Sequence, residues 1–141
     1  MALAEPRSRC PINRGVELLG DAWSLVILRD VAFCDRRSFR ELLTRSGEGI
    51  SPPMLSRRLQ HLVSIGLLTK EAAPRGKVGR YSLTEAGIQL VPLLFELARV
   101  GHLLDPTTES TEPRFAAWQG GPDEIGDYQD ELRAHHLTEG S

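Results

Sequence analysis

The chain has 141 residues, enough for one domain of ordinary size, and 40% hydrophobic with 26% charged residues is a typical globular composition. Its apolar runs are too short to predict a membrane span, and the N-terminus lacks the apolar segment of a secretory signal, so we expect a cytoplasmic protein. Two cysteines, at positions 10 and 34, form no metal-ligand pattern.

The net charge of −2 conceals an uneven distribution. Residues 1–104 hold 15 basic and 10 acidic residues, a net charge of +5, whereas residues 105–141 hold 2 basic and 9 acidic residues, a net charge of −7. A basic body followed by an acidic tail is typical of proteins that bind polyanions.

The N-terminal part predicts three helices after a flexible segment over residues 1–9. The first runs from Pro11 to Leu19 and ends at Gly20. The second, "AWSLVILRDVAF", follows an Asp21 cap, is nearly all apolar and should form the centre of the core. The third, "SFRELL", begins with a capping box, and "TRSGEG" after it predicts a turn.

The segment "GISPPMLSRRLQHLVSIGLL" at 49–68 predicts a helix with two chemically different sides. Ser51 is placed to cap it, Pro52 suits its first turn, and Gly66 is placed to end it. At 100° per residue, one stripe faces the core and consists of Leu55, Leu59, Leu62 and Val63. The opposite face carries Pro53, Arg57, His61 and Ser64, with Met54, Arg58 and Gln60 on its flanks.

A basic hairpin is predicted next, with "LLTKEAA" and "RYSL" as strands and "PRGKVG" as the turn between them. Thr84 is placed to cap a long helix over residues 85–104, in which Pro92 predicts a kink or a division. From residue 105 the composition predicts an acidic, flexible tail with some capacity to dock through its aromatic residues, Phe115, Trp118 and Tyr128.

The order of these elements predicts a winged helix-turn-helix over residues 10–104, mainly α with a small β-hairpin. In such a fold the exposed cations suit base edges in the major groove and the backbone phosphates of double-stranded DNA. The predicted DNA-binding residues are Ser38, Arg40, Ser51, Pro53, Met54, Ser56, Arg57, Arg58, His61, Arg75, Lys77 and Arg80. Two arginines on one helix are more often a solvated face, so the prediction depends on the order of the elements and on the basic body.

Residues 10–104 resemble the HxlR-type winged helix-turn-helix transcription regulators, relatives of the MarR type. The matching stretches are "CP" at 10–11, "LLGDAWSLVILRD" at 18–30, "RSFRELL" at 37–43, the segment at 49–68 and "YSLTEAG" at 81–87. The resemblance implies a sequence-specific regulator, a repressor in our prediction, that acts as a homodimer on an inverted-repeat operator.

The resemblance also implies that the homodimer is joined through the terminal helices, and the leucine-rich helix before residue 105 favours this independently. The implied dimerisation residues are Ile12, Val16, Leu90, Leu93, Leu94, Leu97, Val100 and Leu104. The alternative is that this helix only closes the core of a monomer.

Three features depart from the family pattern. Pro53 stands where a basic or polar residue is common, Arg57 stands where glutamine is common, and the wing reads "GKVGRY" where a proline and an acidic residue usually precede the tyrosine. These departures leave the operator sequence undetermined. They make the surface more basic, which predicts strongly salt-dependent binding.

Two kinds of effector control are compatible with the sequence. Cys10 matches the N-terminal cysteine that some members of the family use as a redox or electrophile sensor, and it precedes a helix start in an arginine-rich segment. The alternatives are an inert thiol, or a small apolar ligand bound among Trp23, Phe33, Phe95 and His102. Cys34 is expected to be a small core residue, although the spacing permits a bridge to Cys10.

The sequence favours no enzymatic function, since it contains no P-loop, nucleophile elbow or metalloprotease motif. No cofactor or metal is expected, and His135 and His136 lack further ligands at suitable spacing. The alternative function is a winged-helix protein–protein interaction module without DNA binding, which would present an apolar or acidic face instead of a basic one.

Overall fold

The computed structural model describes residues 3–71, 79–109 and 121–137 of the chain. Over these residues the fold is mainly helical with one two-stranded antiparallel sheet, as predicted. The elements in chain order are α1 (Pro11–Leu19), α2 (Ser24–Phe33), α3 (Phe39–Thr44), α4 (Pro52–Ser64), β1 (Leu68–Glu71), β2 (Arg80–Leu83), α5 (Glu85–Gln89), α6 (Val91–Leu104) and α7 (Pro122–His136).

The apolar helix α2 lies at the centre of the core, as its sequence predicts. Leu28, Val31 and Phe33 are all at most 1% exposed. Asp21 starts this helix, since its Oδ1 accepts hydrogen bonds from the backbone N–H groups of Trp23 and Ser24, both at 2.8 Å. Burial on all sides explains why α2 has no polar stripe.

The helix-turn-helix consists of α3, the turn and α4, and the predicted caps are present. The hydroxyl of Ser38 accepts from the N–H of Glu41 at 3.1 Å, and that of Ser51 accepts from the N–H of Met54 at 3.3 Å. Glu41 reaches back to the N–H of Arg37 at 3.4 Å, one residue earlier than a standard capping box. These caps set the directions of both helices.

Gly66 ends α4 as predicted, in a left-handed conformation with φ of 87°. The N–H of Leu67 donates to the carbonyl of Leu62 at 3.0 Å, and the N–H of Gly66 donates to that of Val63 at 3.1 Å. This is a Schellman motif, in which glycine avoids the steric penalty of a side chain. It turns the chain directly into β1.

The hairpin pairs Leu68 with Leu83 and Glu71 with Arg80, and both leucines are 1% exposed. The hairpin base is therefore part of the core, while the residues between the strands at 72–78 lie outside the described part of the chain. The predicted cations Arg75 and Lys77 belong to that segment.

The long helix predicted over 85–104 is divided into α5 and α6 at Leu90, because Pro92 lies in the first turn of α6. Gly87 in α5 packs closely against the base of the hairpin. A Cβ added at this position would collide with the carbonyl oxygen of Leu67 and lie 3.2 Å from a methyl carbon of Leu83. The "LTEAG" stretch therefore needs glycine at this position.

The prediction of a flexible acidic tail is corrected within residues 122–136, which form α7 and pack against the body. Leu132 and His136 are 3% and 4% exposed, and the Tyr128 hydroxyl donates to the carbonyl of Ala32. An apolar face explains the packing, because its residues follow helical spacing: Ile125, Tyr128, Leu132 and His136.

Within the described residues, Glu85–Leu104 has the length and mean hydropathy, 1.3, of a membrane span. The sequence predicted no such span. The core helices of globular proteins also meet this criterion, and here the segment is broken at Leu90 and carries the exposed pair Glu96–Arg99. We therefore interpret it as two packed helices of a globular fold.

Candidate nucleic-acid interface

The outer face of α4 is formed by Pro53, Arg57 and Gln60, which are all exposed. The inner stripe is buried: Leu55, Leu59 and Leu62 are at most 1% exposed. Among the described residues, no hydrogen bond or ion pair restrains the Arg57 guanidinium. The helix is therefore anchored by its leucines and presents the Arg57 guanidinium to solvent.

Two residues predicted at the DNA-facing side turn instead toward the junction of α1 and α2. His61 is half-buried, with its Nε2 at 2.7 Å from the carbonyl oxygen of Leu18. Arg58 lies with an Nη at 3.5 Å from Asp21. The helical projection placed His61 on the solvent-facing side, opposite Leu55. This prediction is wrong because α1 packs against that flank of α4 and half-buries the His61 side chain. Gln60 takes its place on the outer face.

The core stripe of α4 is also narrower than predicted. Val63 is 37% exposed and lies outside the core, whereas Met54 is half-buried and packs against it. The hydroxyls of Ser38 and Ser51 are engaged as caps, and Ser56 is half-buried. Arg40 is exposed near the start of α3. The DNA contacts of these residues remain predictions.

Asp21 belongs both to the helix start and to the Arg58 ion pair. Burial raises the pKa of its carboxyl group, but hydrogen bonds from Ser24 and Trp23 and the charge of Arg58 together lower the pKa more. The carboxylate is therefore ionised at neutral pH and holds Arg58 close to the body rather than leaving it fully available to DNA.

A second ion-pair network fixes the turn of the helix-turn-helix to α2. Arg29 donates to both carboxylate oxygens of Glu48, at 2.9 and 2.7 Å, and also to the buried Asp30 at 2.8 Å. Hydrogen bonding from Arg29 lowers the pKa of Glu48 to about 2. The turn before α4 is thus held by a bidentate charged contact.

Arg37 is a positioning residue that the sequence prediction missed. It is 4% exposed, its backbone carbonyl accepts from the N–H of Tyr81 at 2.7 Å, and its Nε donates to the Tyr81 carbonyl at 2.9 Å. An arginine in "DRRSFRELL" looks like one more surface cation, so only its burial reveals that it joins α3 to β2. Arg80, the described wing cation, is half-buried beside it.

The predicted dimerisation residues differ in how deeply they are buried. Leu94 is 6% exposed and Leu90 is half-buried against the core, so both side chains serve the monomer. Val100 is half-buried. The other five are exposed by 45–79% of their surface: Ile12, Val16, Leu93, Leu97 and Leu104.

The candidate effector residues are placed as follows. Cys10 is exposed at the start of α1, Cys34 is half-buried against the core, and no disulfide joins them. Arg7 and Arg14 bind Glu17, at 3.1 and 3.4 Å, rather than the thiol. Of the four residues predicted to line a ligand pocket, Phe33 and Phe95 pack edge-to-face with their ring centres at 5.2 Å.

The arrangement of a helix-turn-helix followed by a hairpin, with a helix before it and helices after it, defines a winged helix-turn-helix protein. The model of the HxlR-like helix-turn-helix family matches residues 18–108, and the chain belongs to this family. The resemblance inferred from the sequence is thereby confirmed.

Three relatives illustrate the similarity. An uncharacterized HTH-type transcriptional regulator of Mycobacterium tuberculosis is 36% identical over 99 residues, 70% of this chain and 61% of that protein. The crystal structure of PA1607, a candidate transcription factor, has a TM-score of 0.66 and 31% identity, covering 74% of this chain and 73% of that chain. The reduced form of the transcriptional regulator YodB from B. subtilis has a TM-score of 0.55 and 28% identity, covering 72% of this chain and all of YodB.

Proposed function

We propose that this protein is a sequence-specific regulator of transcription that binds double-stranded DNA with α4 in the major groove. The observation that carries the proposal is Arg57, which is exposed and has no hydrogen bond or ion pair among the described residues, on a helix whose leucines are fixed in the core. Arginine can donate two hydrogen bonds to a guanine edge, and the N-terminal half of a recognition helix is the part that enters the groove. The names of the relatives support the same function.

We infer that the wing binds the phosphates on either side of the groove. The sequence between the strands contains Arg75 and Lys77, and Arg80 begins the returning strand. Phosphate contacts add affinity without reading the sequence, whereas Arg57 contributes to the choice of bases.

A homodimer on an inverted repeat is the proposed binding form, because one helix-turn-helix reads only a few base pairs. The apolar surface needed for it is present on the first and sixth helices, where Ile12 and Leu104 are each 79% exposed and Leu97 is 47% exposed. Exposed apolar side chains on these two helices are typical of a subunit interface.

Repression in the cytoplasm, at the nucleoid, is the proposed mode of action, with control through Cys10 or through a small ligand. The exposed position of Cys10 at the N-terminus of α1 supports access by oxidants. Its location directly before the proposed dimer helix α1 would let oxidation change the spacing of the two α4 helices. The packed Phe33–Phe95 pair favours the thiol over the ligand.

The alternative function is a protein–protein interaction module. The basic outer side of α4 disfavours it, because an interaction face would be apolar or acidic.

A gel-shift with the DNA upstream of the protein's own gene, with and without an oxidant, tests the proposal. We expect a shifted band whose intensity falls steeply with salt, and loss of that band on oxidation but not in Cys10→Ser. If the protein does not bind duplex DNA even at low ionic strength, the regulator function is contradicted. A band that is unchanged by oxidation contradicts only the thiol control.

A further inference from the structure

The wing strand β2 is held along both of its edges. One edge pairs with β1, and on the other the N–H of Tyr81 donates to the carbonyl of Arg37 at 2.7 Å. Two residues further on, the N–H of Leu83 donates to Nδ1 of His136 at 3.0 Å. The strand is therefore fixed by the helix-turn-helix near its start and by the C-terminal helix at its end.

The contact with His136 requires a neutral imidazole, because a ring nitrogen accepts a hydrogen bond only when it carries no proton. The ring is 4% exposed. Burial, followed by the nearby charge of Arg37, lowers the pKa of His136 to about 4, and His135 and Arg80 act in the same direction while Asp35 opposes them.

The remainder of α7 is anchored away from β2. Arg133 donates to both carboxylate oxygens of Glu85, at 2.8 and 3.0 Å, and Gln129 donates to the carbonyl of Ile88 at 3.0 Å. The ring of Tyr128 packs at 5.3 Å from that of Phe33. These contacts hold α7 against α5 and α2, so His136, at the end of α7, is placed to reach the strand.

We propose that His136 is a positioning residue for the wing, which holds β2, and with it Arg80, in the orientation that DNA binding needs. The inference rests on the proposed function, because the orientation of the wing matters only in a complex with DNA. The helix α7 lies outside residues 18–108, the part of the chain that the family model matches.

The geometry makes wing positioning dependent on pH. A histidine released from the contact titrates near pH 6.5, whereas the docked ring resists protonation. The contact is therefore fully favourable above pH 6.5, weakens as the pH falls toward 4, and contributes nothing below that value. His136 also lines a cavity of about 390 Å³ with Asp35, Glu131 and His135, which gives solvent a route to the ring.

Three variants of the full-length protein separate these effects. His136→Asn keeps an acceptor near the position of Nδ1 but does not titrate, and His136→Leu removes the acceptor. His135→Asn is the matched control, because His135 is the neighbouring histidine and its side chain is 50% exposed. The measurements are hydrogen exchange at the Leu83 amide, corrected for intrinsic rates, and the salt dependence of binding to duplex DNA between pH 5 and 7.5.

We expect wild-type protein and His135→Asn to lose protection of the Leu83 amide as the pH falls from 6.5 to 5, and His136→Asn to keep it. For His136→Leu we expect weak protection at every pH and a salt slope that is shallower by about one or two phosphates, roughly 0.9 each. The loss of wing contacts then appears in two independent measurements.

Several outcomes would overturn the proposal. If His136→Leu loses amide protection but keeps the wild-type salt slope, the positioning role is wrong while the regulator function stands. If His136→Leu does not fold, the comparison with His136→Asn decides, and identical pH profiles of DNA affinity in wild type and His136→Asn overturn the role. If wild-type protein binds no duplex DNA, the proposed function fails and the role fails with it.

Discussion

The Nε2 atom of His61 lies 2.7 Å from the carbonyl oxygen of Leu18, which bonds the proposed recognition helix α4 to the C-terminal end of α1. The ion pair between Arg58 and Asp21 lies one turn earlier on the same flank of α4. A movement of α1 would therefore be transmitted to α4 through the contact between Leu18 and His61. This connection gives a physical route from the proposed dimer helix, which begins next to Cys10, to the proposed DNA-binding side of α4.

Replacement of His61 by Phe should destabilise the fold by about 1 kcal/mol, because it leaves the half-buried carbonyl of Leu18 without its donor. The free energy of unfolding in urea measures the effect. Gln60→Ala is the control, since Gln60 is exposed on the same helix and its loss should change stability by less than about 0.5 kcal/mol. Equal effects in the two variants would mean that the bond to Leu18 adds nothing.

Replacement of Arg57 by Ala should weaken binding to the operator by about 1–3 kcal/mol and relax the preference at the contacted base pair. Arg57→Lys keeps the charge but cannot donate in the same bidentate geometry. Compared with Arg57→Ala, it should therefore recover more of the nonspecific affinity for DNA than of the specific affinity for the operator. Titration of operator and scrambled duplexes by fluorescence anisotropy measures both. Unchanged operator affinity in Arg57→Ala would remove α4 from its assigned role.

Replacement of Lys77 or Arg80 by Ala should weaken binding to all duplexes similarly and reduce the salt slope by about 0.9 for each lost phosphate contact. Lys70→Ala is the matched control for charge, because Lys70 is exposed on β1 with its ammonium 5.8 Å from the Tyr81 ring centre. An unaltered slope in both wing variants, or the same reduction in Lys70→Ala, would contradict a specific contact by the wing.

Introduction of a charge on α6 by Leu97→Glu should dissociate the proposed homodimer, since burying an unpaired carboxylate in an apolar interface is costly. Light scattering after size-exclusion chromatography gives the mass of each species. Leu3→Glu, at another exposed apolar position near the N-terminus, should remain dimeric. Wild-type protein with the mass of a monomer, or a Leu97→Glu protein that stays dimeric, would show that α6 is not the interface.

Replacement of Gly87 by Ala should destabilise the fold by about 1–3 kcal/mol, because the new methyl group would overlap the carbonyl of Leu67. Gly101→Ala is the control: an added Cβ there has no atom within 4 Å among its described neighbours, and alanine favours the helix by about 0.5–1 kcal/mol. The Tm of thermal unfolding should therefore fall in Gly87→Ala and rise in Gly101→Ala. A stable Gly87→Ala protein would contradict the tight packing of α5 on the hairpin base.

Local signals in the sequence predicted local structure well. The caps at Ser38, Ser51 and Thr84 and the helix stop at Gly66 are present because each depends on a few adjacent residues. Pro92 divides the long helix for the same reason. The fold class, which depends on the order of such elements, followed from them.

Contacts between distant elements were not predictable in the same way. A helical projection gives the angle of His61 around α4, but it does not reveal which neighbour approaches that angle. The burial of Leu94 in the core and the burial of Arg37 could not be predicted for the same reason, since both depend on which distant element packs against the residue. The helix α7 did leave a signal, the spacing of Tyr128 and Leu132, which the acidic composition of the tail outweighed.

The carboxylate of Asp21 serves two helices: it starts α2 through its backbone hydrogen bonds and it holds Arg58 on α4. Asparagine at this position could still accept the hydrogen bonds from the N–H groups of Trp23 and Ser24, but it would leave Arg58 without the charge of Asp21. The substitution Asp21→Asn would thus release the Arg58 guanidinium toward the proposed DNA-binding side of α4, while the hydrophobic core stays unchanged. If α4 binds DNA as proposed, position 21 is where the affinity for nucleic acid can change without a substitution in α4 itself.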